Sequence, residues 1–223
     1  IAVIEDASES LGTKYLKGIY SKKHAGTVGK IGCLSFNGNK IITTGGGGMI
    51  ITNDKKLAKK AHYLTTQAKD NSKNFIHNDV GYNFRLPNLL SALGIGQLEK
   101  LSKFLRIKKS IYKKYSKELK NSKNLTVSQV PSFSKNNHWL TILRIKGDNS
   151  EKIQNKLILR CKKKGIEIGK VWFPNHLQKP YKRCQTYKIN NTKKMVSSSV
   201  CLPSSSNLSQ RNIKFICKIL NNL

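Results

Sequence analysis

Apolar and polar residues alternate in blocks over the first quarter of the chain. Two mainly apolar runs, 31–36 and the β-branched 49–52, flank a polar segment that contains Lys40 and ends in four consecutive glycines. Short apolar runs bounded by glycine predict two strands joined by a turn. A third apolar run, residues 1–4, predicts another strand that is closed by Asp6. The pattern therefore places a lysine and a carboxylate near strand ends.

Apolar residues at helical spacing follow in two longer segments. The first segment predicts a helix over 54–66, with Asn53 or Asp54 as its N-terminal cap. The second predicts one long helix over 87–115, with Pro87 in its first turn. These two helices complete the elements expected for the first half of the chain.

The second half of the chain has the pattern of a small α/β domain. It predicts strands at 139–145 and 165–168 and helices at 150–164, capped by Ser150, and at 208–220. The segment 121–137, just before these elements, is polar. We therefore predict two domains, covering residues 1–120 and 121–223.

The candidate chemistry lies in the strand-turn-strand segment and at the end of the first strand. A lysine beside a glycine-rich turn could act as a nucleophile when its surroundings favour the neutral amine. The carboxyl end of a strand is where α/β sheets place groups that contact ligands. An aspartate for a pyridinium nitrogen and a lysine for an aldehyde are the pair that pyridoxal phosphate requires. Asp6 and Lys40 together predict such a site.

Three segments carry a resemblance to a known family. They read EDASESLG (5–12), GKIGCLSFNGNKIITTGGGGMIITND (29–54) and HNDVGYNFRLPNLLSALGIGQLEKL (77–101). The chain resembles the sugar aminotransferases of the DegT/DnrJ/EryC1/StrS family, and most closely the 4-aminotransferases of legionaminic acid, bacillosamine and perosamine pathways. The resemblance implies an α/β fold of the fold-type I class: the C-terminal part of a large domain with a mainly parallel sheet, plus a small domain. Since family members have a long part before this point, it also implies an N-terminal truncation.

The resemblance implies a cofactor site built from four residues of the first half. Lys40 would be the catalytic residue, which carries pyridoxal 5'-phosphate through its amino group and moves a proton during transamination. Asp6 would pair with the ring nitrogen, Glu9 would contact the ring edge, and the Ser35 hydroxyl would hold the phosphate. Two alternatives stay open, because Glu9 could instead favour a helix start and Ser35 could bond only to its own backbone.

Four further residues inherit roles from the same resemblance. Asn83 and Arg85 would reach the cofactor phosphate and the substrate of the partner subunit, since phosphate binding requires such donors, and a solvated loop is the alternative. Lys170 and His176 would contact the nucleotide sugar. Lys170 replaces an arginine that relatives often carry, and a lysine lacks the two-pronged donor geometry of a guanidinium group. His176 is equally compatible with a structural role.

The activity implied is transamination of a UDP- or GDP-linked 4-keto-6-deoxy sugar, with L-glutamate as the donor, in surface polysaccharide or glycan biosynthesis. A homodimer with a shared active site is the expected assembly. An inactive remnant of such an enzyme is one alternative. Another is a basic nucleic-acid-binding protein, since the chain has 42 lysines and arginines against 11 acidic residues.

Composition weighs against the nucleic-acid reading and against a membrane location. The lysines are spread over every segment, and no zinc-finger spacing or RNA-binding aromatic motif accompanies them. The five cysteines are scattered without a metal-binding spacing, so we expect reduced thiols and no metal. We expect no leading signal peptide, because the apolar run at residues 1–4 is short and acidic residues follow it, and the sequence has no long apolar stretch. We therefore expect a cytoplasmic enzyme.

Overall fold

The computed structural model describes residues 1–71 and 73–222, and these form two compact units. Unit 1 comprises Ile1–Leu105 and Val130–Trp139, and unit 2 comprises Arg106–Gln129 and Leu140–Leu223. The predicted domain division of 1–120 and 121–223 stays a prediction. Among the described residues, no helix combines the length and the apolar composition needed to cross a membrane.

Unit 1 is built around a three-stranded sheet. Its elements in chain order are β1 (Ile4–Asp6), β2 (Lys14–Tyr15), β3 (Ile31–Ser35), β4 (Gly48–Ile51), α1 (Lys55–Thr65), β5 (Lys69–Asn71), β6 (Ile76–His77) and α2 (Asn88–Glu99). The following helix, α3 (Leu101–Glu118), begins in this unit. The unit also includes a later strand, which is β8 (Ser134–Lys135) and pairs with β2.

The central sheet has the order β1–β3–β4. β1 runs parallel to β3, with Asp6 opposite Cys33, so both strands end at the same edge of the sheet. β4 returns antiparallel, with Ser35 opposite Gly48, because the segment 36–47, which ends in the glycine run, reverses the chain. The described sheet is therefore mixed. The first strand was expected at residues 1–4, but pairing with β3 begins only at Ile4 and extends the strand to Asp6.

The predicted helix over 87–115 is in fact two helices. α2 ends at Glu99 and α3 begins at Leu101, with Lys100 between them as the C-terminal cap of α2. Pro87 lies at the N-cap of α2 and not inside its first turn. By contrast, α1 begins as predicted, since the Asp54 carboxylate accepts hydrogen bonds from the backbone N–H groups of Lys56 and Leu57.

Unit 2 packs helices against a four-stranded antiparallel sheet, in which the neighbouring strands are, in order, β10 (Gly169–Lys170), β11 (Ser199–Leu202), β9 (Thr141–Ile145) and β7 (Leu125–Val127). The α-helices that follow α3 are α4 (Ser150–Lys163), α5 (Asn190–Ser197) and α6 (Gln210–Asn221). Alternate residues of β9 are buried, as expected for a sheet with one face on a core. Leu143, Val200 and Leu157 of this core are fully buried.

Two local predictions in unit 2 are wrong. The strand expected at 165–168 is absent from the described residues, because Gly165 (φ +68°) ends the turn after α4 and pairing with β11 starts only at Gly169. Ile168 is nevertheless buried, which explains its apolar character. The cap of α4 is Asn149, which makes no side-chain capping bond, and Ser150 is already helical.

Candidate active site

Lys40 lies in the tight turn that follows β3. Its backbone N–H donates to the Asn37 carbonyl at 3.0 Å, which closes the turn. The side chain is only 13% exposed, and its Nζ lies 3.3 Å from Glu9 Oε1. In a chain whose lysines mostly face solvent, this amine is held in a defined position by the protein.

Asp6 lies at the carboxyl end of β1, in the arrangement that parallel strands provide. Its Oδ1 accepts hydrogen bonds from the Ser8 hydroxyl at 2.6 Å and the Ser8 backbone N–H at 3.1 Å. These bonds, the hydroxyl first, and the positive charge of Lys40 lower the pKa of the Asp6 carboxyl. Asp6 is therefore an anion at neutral pH, within the electrostatic range of Lys40.

Ser35 is the last residue of β3, five positions before Lys40. Its Oγ accepts a hydrogen bond of 3.3 Å from the Asn37 backbone N–H. Ser35, Glu9 and Lys40 line the same small cavity. Three of the residues predicted for a cofactor site are thus brought together, and the local bond foreseen for Ser35 is present as well.

The glycine run provides the backbone conformations that this turn needs. Gly45 and Gly47 have φ angles of +80° and +91°, which L-residues with a side chain rarely adopt. At Gly47 a Cβ atom would also lie 2.7 Å from the Leu86 Cδ1 atom. The Thr44 backbone N–H donates to the Phe36 carbonyl, which ties the far side of the turn to the end of β3.

Asn83 and Arg85 occupy a different part of unit 1. Asn83 forms an isolated antiparallel bridge with Thr66. Arg85 lines a groove together with residues of β3, β4 and α1. Among the residues that line this groove, neither Lys40 nor Glu9 is present. The two residues were expected to serve the partner subunit, and that assignment stays a prediction.

Lys170 and His176 belong to unit 2. Lys170 is the exposed second residue of β10. His176 lies in a short 3-10 helix, Asn175–Leu177, and its Nε2 atom is buried without a hydrogen-bond partner among the described residues. A buried imidazole nitrogen without a partner is unusual in a folded protein. The substrate contacts proposed for both residues stay predictions.

Sequence reasoning missed two residues that contact the lysine site. Trp139 places its ring face 4.2 Å from Lys40 Nζ, measured to the ring centroid. Asn137 donates hydrogen bonds from Nδ2 to the carbonyls of Glu9 and Leu11. The sequence presents them only as the end of a polar segment and the start of a strand. Nothing in their spacing connects them to a residue about 100 positions earlier.

The geometry defines an α/β protein with a sequestered lysine beside a charged aspartate, and the comparisons identify its family. The sequence profile of the DegT/DnrJ/EryC1/StrS aminotransferase family matches residues 1–221, and the chain belongs to this family. It is 34% identical to EpsN of Bacillus subtilis (strain 168) over 100% of this chain and 56% of that protein. It is also 34% identical to the GDP-perosamine synthase of Escherichia coli O157:H7, over 98% of this chain and 57% of that protein.

Solved structures give the same fold. The aminotransferase TlmJ from Streptoalloteichus hindustanus matches with a TM-score of 0.89 at 20% identity, over 99% of this chain and 58% of that chain. Helicobacter pylori PseC, an aminotransferase involved in pseudoaminic acid biosynthesis, matches with a TM-score of 0.87 at 22% identity, over the same shares of the two chains. The predicted α/β aminotransferase fold is confirmed. The present chain spans somewhat more than half the length of these relatives.

Proposed function

We propose that this chain provides the lysine-bearing part of a pyridoxal-phosphate-dependent nucleotide-sugar aminotransferase. The observation that carries the proposal is the placement of Lys40. Its amine is sequestered from solvent, lies 3.3 Å from Glu9 and is close enough to Asp6 to lower the pKa of that carboxyl. Family membership over residues 1–221 supports the same conclusion.

The residues present fit pyridoxal phosphate by the chemistry of their donor groups. Asp6 is held as an anion and can pair with a protonated ring nitrogen, Lys40 supplies an amine for the aldehyde, and Ser35 supplies a hydroxyl for the phosphate. Glu9 would lie against the ring edge. When bound, the cofactor supplies an electron sink for the carbon that is deprotonated. Among proteins of this fold, Spr1654 from Streptococcus pneumoniae has been solved in PLP and PMP forms.

Lys40 would serve first as the covalent anchor and then as the proton carrier. A neutral amine is needed for both roles, because only its lone pair can attack an aldehyde or accept a proton. In the present arrangement, the Lys40 amine lies 3.3 Å from Glu9 and 4.2 Å from the centroid of the Trp139 ring. Lys40 must leave these contacts before it reacts. Asp6, which stays charged, would keep the ring nitrogen protonated meanwhile.

For the substrate we favour a nucleotide-linked 4-keto-6-deoxy sugar, with L-glutamate as the amino donor, in surface glycan biosynthesis. GDP-perosamine synthases from two bacteria match at 34% and 31% identity over nearly all of this chain. A Campylobacter jejuni transaminase named for a UDP-linked amino sugar matches at 30% over 63% of this chain. These names support a GDP-linked or a UDP-linked substrate, and both belong in the same screen.

The complete enzyme in this proposal is a cytoplasmic homodimer. Asn83 and Arg85, which lie apart from the lysine cavity of their own chain, would serve the partner's cofactor and substrate. Lys170 and His176 would contact the sugar nucleotide. Because the chain spans about 57% of the GDP-perosamine synthase of Escherichia coli, an inactive relative of such enzymes is the alternative outcome of the test below.

The test is the visible absorbance of the purified chain with pyridoxal phosphate, before and after borohydride reduction. We expect an absorbance band that reduction removes, with the pyridoxyl group found on Lys40 by peptide mass spectrometry. Lys40→Arg keeps the charge and should abolish both signals, whereas Lys188→Arg, at an exposed lysine, should change neither. Folded protein without a band, or with the group spread over many lysines, would contradict the proposal.

A further inference from the structure

Glu9 and Trp139 both lie close to the Lys40 amine, and of these two only Glu9 was predicted to belong to the site. Glu9 Oε1 lies 3.3 Å from Nζ, and the Trp139 ring centroid lies 4.2 Å from the same atom. A cation above the face of an indole ring is attracted by the ring quadrupole, and more strongly where water is excluded. By comparison, Lys188 lies 5.1 Å from the ring of Tyr187, which is 76% exposed. The Lys40 contact is shorter and less hydrated.

The position of the Trp139 side chain is itself set by burial and by a hydrogen bond. Its side chain is 7% exposed, and its indole Nε1 donates a 2.7 Å hydrogen bond to the Asn39 carbonyl. Asn39 directly precedes Lys40 in the turn after β3. One indole ring thus contacts both the backbone beside Lys40 and the far end of the Lys40 side chain.

The residue two positions earlier joins the same arrangement to Glu9. Asn137 is 5% exposed, and its Nδ2 donates to the Glu9 carbonyl at 2.7 Å and to the Leu11 carbonyl at 3.0 Å. Its Oδ1 accepts from the Trp139 backbone N–H at 3.0 Å. The segment 137–139 therefore connects the two groups that face the Lys40 amine.

We propose that Trp139 is a positioning residue for Lys40, an inference that rests on the function proposed above. In the cofactor-free protein, the ring face holds the ammonium group while the indole N–H holds the turn. A neutral amine is not attracted to the ring in this way, so loss of the proton releases Lys40 from Trp139 to react. The indole would thus keep the lysine in one place until it is needed.

The first measurement uses no cofactor. Each lysine is labelled with an amine-selective acylating reagent at several pH values, and its rate is read by peptide mass spectrometry. Such reagents react only with the neutral amine. In Trp139→Leu we expect Lys40 to label about five- to tenfold faster than in the wild type, with its pH profile shifted to lower pH, because a partner of the charged form is gone. Trp139→Phe keeps a weaker ring and should give an intermediate rate.

The matched control is Tyr187→Leu, read at Lys188. We expect less than a twofold change there, because that pair is exposed to water. A wild-type rate and pH profile at Lys40 in Trp139→Phe would overturn the proposal. Faster labelling of all lysines would reveal that Trp139→Leu has unfolded. In that case the result for Trp139→Phe alone tests the proposal. A rise at Lys40 without a shift of its pH profile would mean exposure only and would also overturn it.

The same variants are then mixed with pyridoxal phosphate, and the rate of the visible band is followed. The labelling experiment and the absorbance experiment fail independently. Absence of a band in the wild type would refute the proposed function and leave the labelling result standing. A normal band with unchanged Lys40 labelling in both Trp139 variants would refute only the role of Trp139.

Discussion

The two units of this chain hold together in different ways, although they contain similar numbers of residues. In unit 2, a cluster of 17 buried apolar residues joins α3, α4 and α6 to the sheet. In unit 1, the described residues that are both apolar and buried are Ala7, Ile42, Ala68 and Trp139. The second unit has the core of an independent domain, whereas the first does not.

Unit 1 exposes apolar surface where a folded protein normally covers it. α2 is rich in apolar residues but has no buried residue among those described, and Leu89 is 81% exposed. Met49 and Ile50, neighbours on β4, point to opposite faces of the sheet and are 52% and 49% exposed. Both faces of the sheet are therefore open at β4, whereas sheets of α/β proteins are normally covered on both.

In unit 1, hydrogen bonds join segments that are far apart in the sequence and so stabilise the fold where apolar burial is small. Glu5 accepts backbone hydrogen bonds from Gly26 at 2.7 Å and from Val28 at 2.6 Å, and a third from Gly29. Asn137 and Trp139 tie distant backbone segments in the same manner. The comparison shows that specific hydrogen bonds order the unit that carries Lys40, whereas apolar burial orders the other unit.

The largest expected effect is on the free energy of unfolding, when one leucine from each unit is replaced by alanine. Leu157 is fully buried in unit 2, so Leu157→Ala should lower the free energy of unfolding by about 3 kcal/mol through lost burial and a cavity. Leu89→Ala on exposed α2 should change it by less than about 0.5 kcal/mol. Chemical denaturation followed by circular dichroism measures both.

If both leucine variants lowered the free energy of unfolding equally, the proposed difference between the two units would be wrong. That result would mean that α2 is covered in solution, and a mass measurement at two protein concentrations would then show self-association. An unchanged stability for Leu157→Ala would instead mean that unit 2 does not unfold in the observed transition.

A smaller effect is expected at Glu5. Burial raises the pKa of this carboxyl, but the hydrogen bonds from Gly29, Gly26 and Val28 outweigh burial and lower the pKa overall. Glu5→Gln should cost about 1–2 kcal/mol at pH 7, since a charged acceptor of three N–H groups is lost. Since the folded pKa lies below the unfolded value of about 4.3, this stabilisation is present above pH 4.3 and is lost as the pH falls through the folded pKa.

The measurement is the free energy of unfolding of wild type and Glu5→Gln between pH 7 and pH 3. The difference between the free energies of unfolding of wild type and Glu5→Gln should decrease as the pH falls. Glu99→Gln, at an exposed residue of α2, makes the same change in charge and should give no such gap. A gap that widens as the pH falls would show that the sign of the Glu5 effect is wrong.

Local signals predicted most of the elements, and distant contacts explain what they missed. The cap at Asp54 and the strand-turn-strand around Lys40 depend on neighbouring residues, so the sequence pattern was sufficient. The predicted long helix breaks at Lys100, where the sequence has no glycine or proline, so the local pattern did not predict the break. Trp139 escaped notice because its partner in the fold lies 100 residues earlier, a relation that spacing along the chain does not contain.

The smallest expected effect is on local stability, when the N-terminal caps of two helices are removed. Asp54 caps α1, which has no buried residue, and Ser209 caps α6, which has five, by accepting from the Asn212 N–H. Each alanine substitution removes a capping bond worth about 1 kcal/mol. Because α6 is also held by the core, Ser209→Ala should leave its amide hydrogen exchange nearly unchanged, whereas Asp54→Ala should speed exchange throughout α1. Faster exchange in both helices would indicate that apolar burial does not set their local stability, and that the contrast between the units is smaller than their cores suggest.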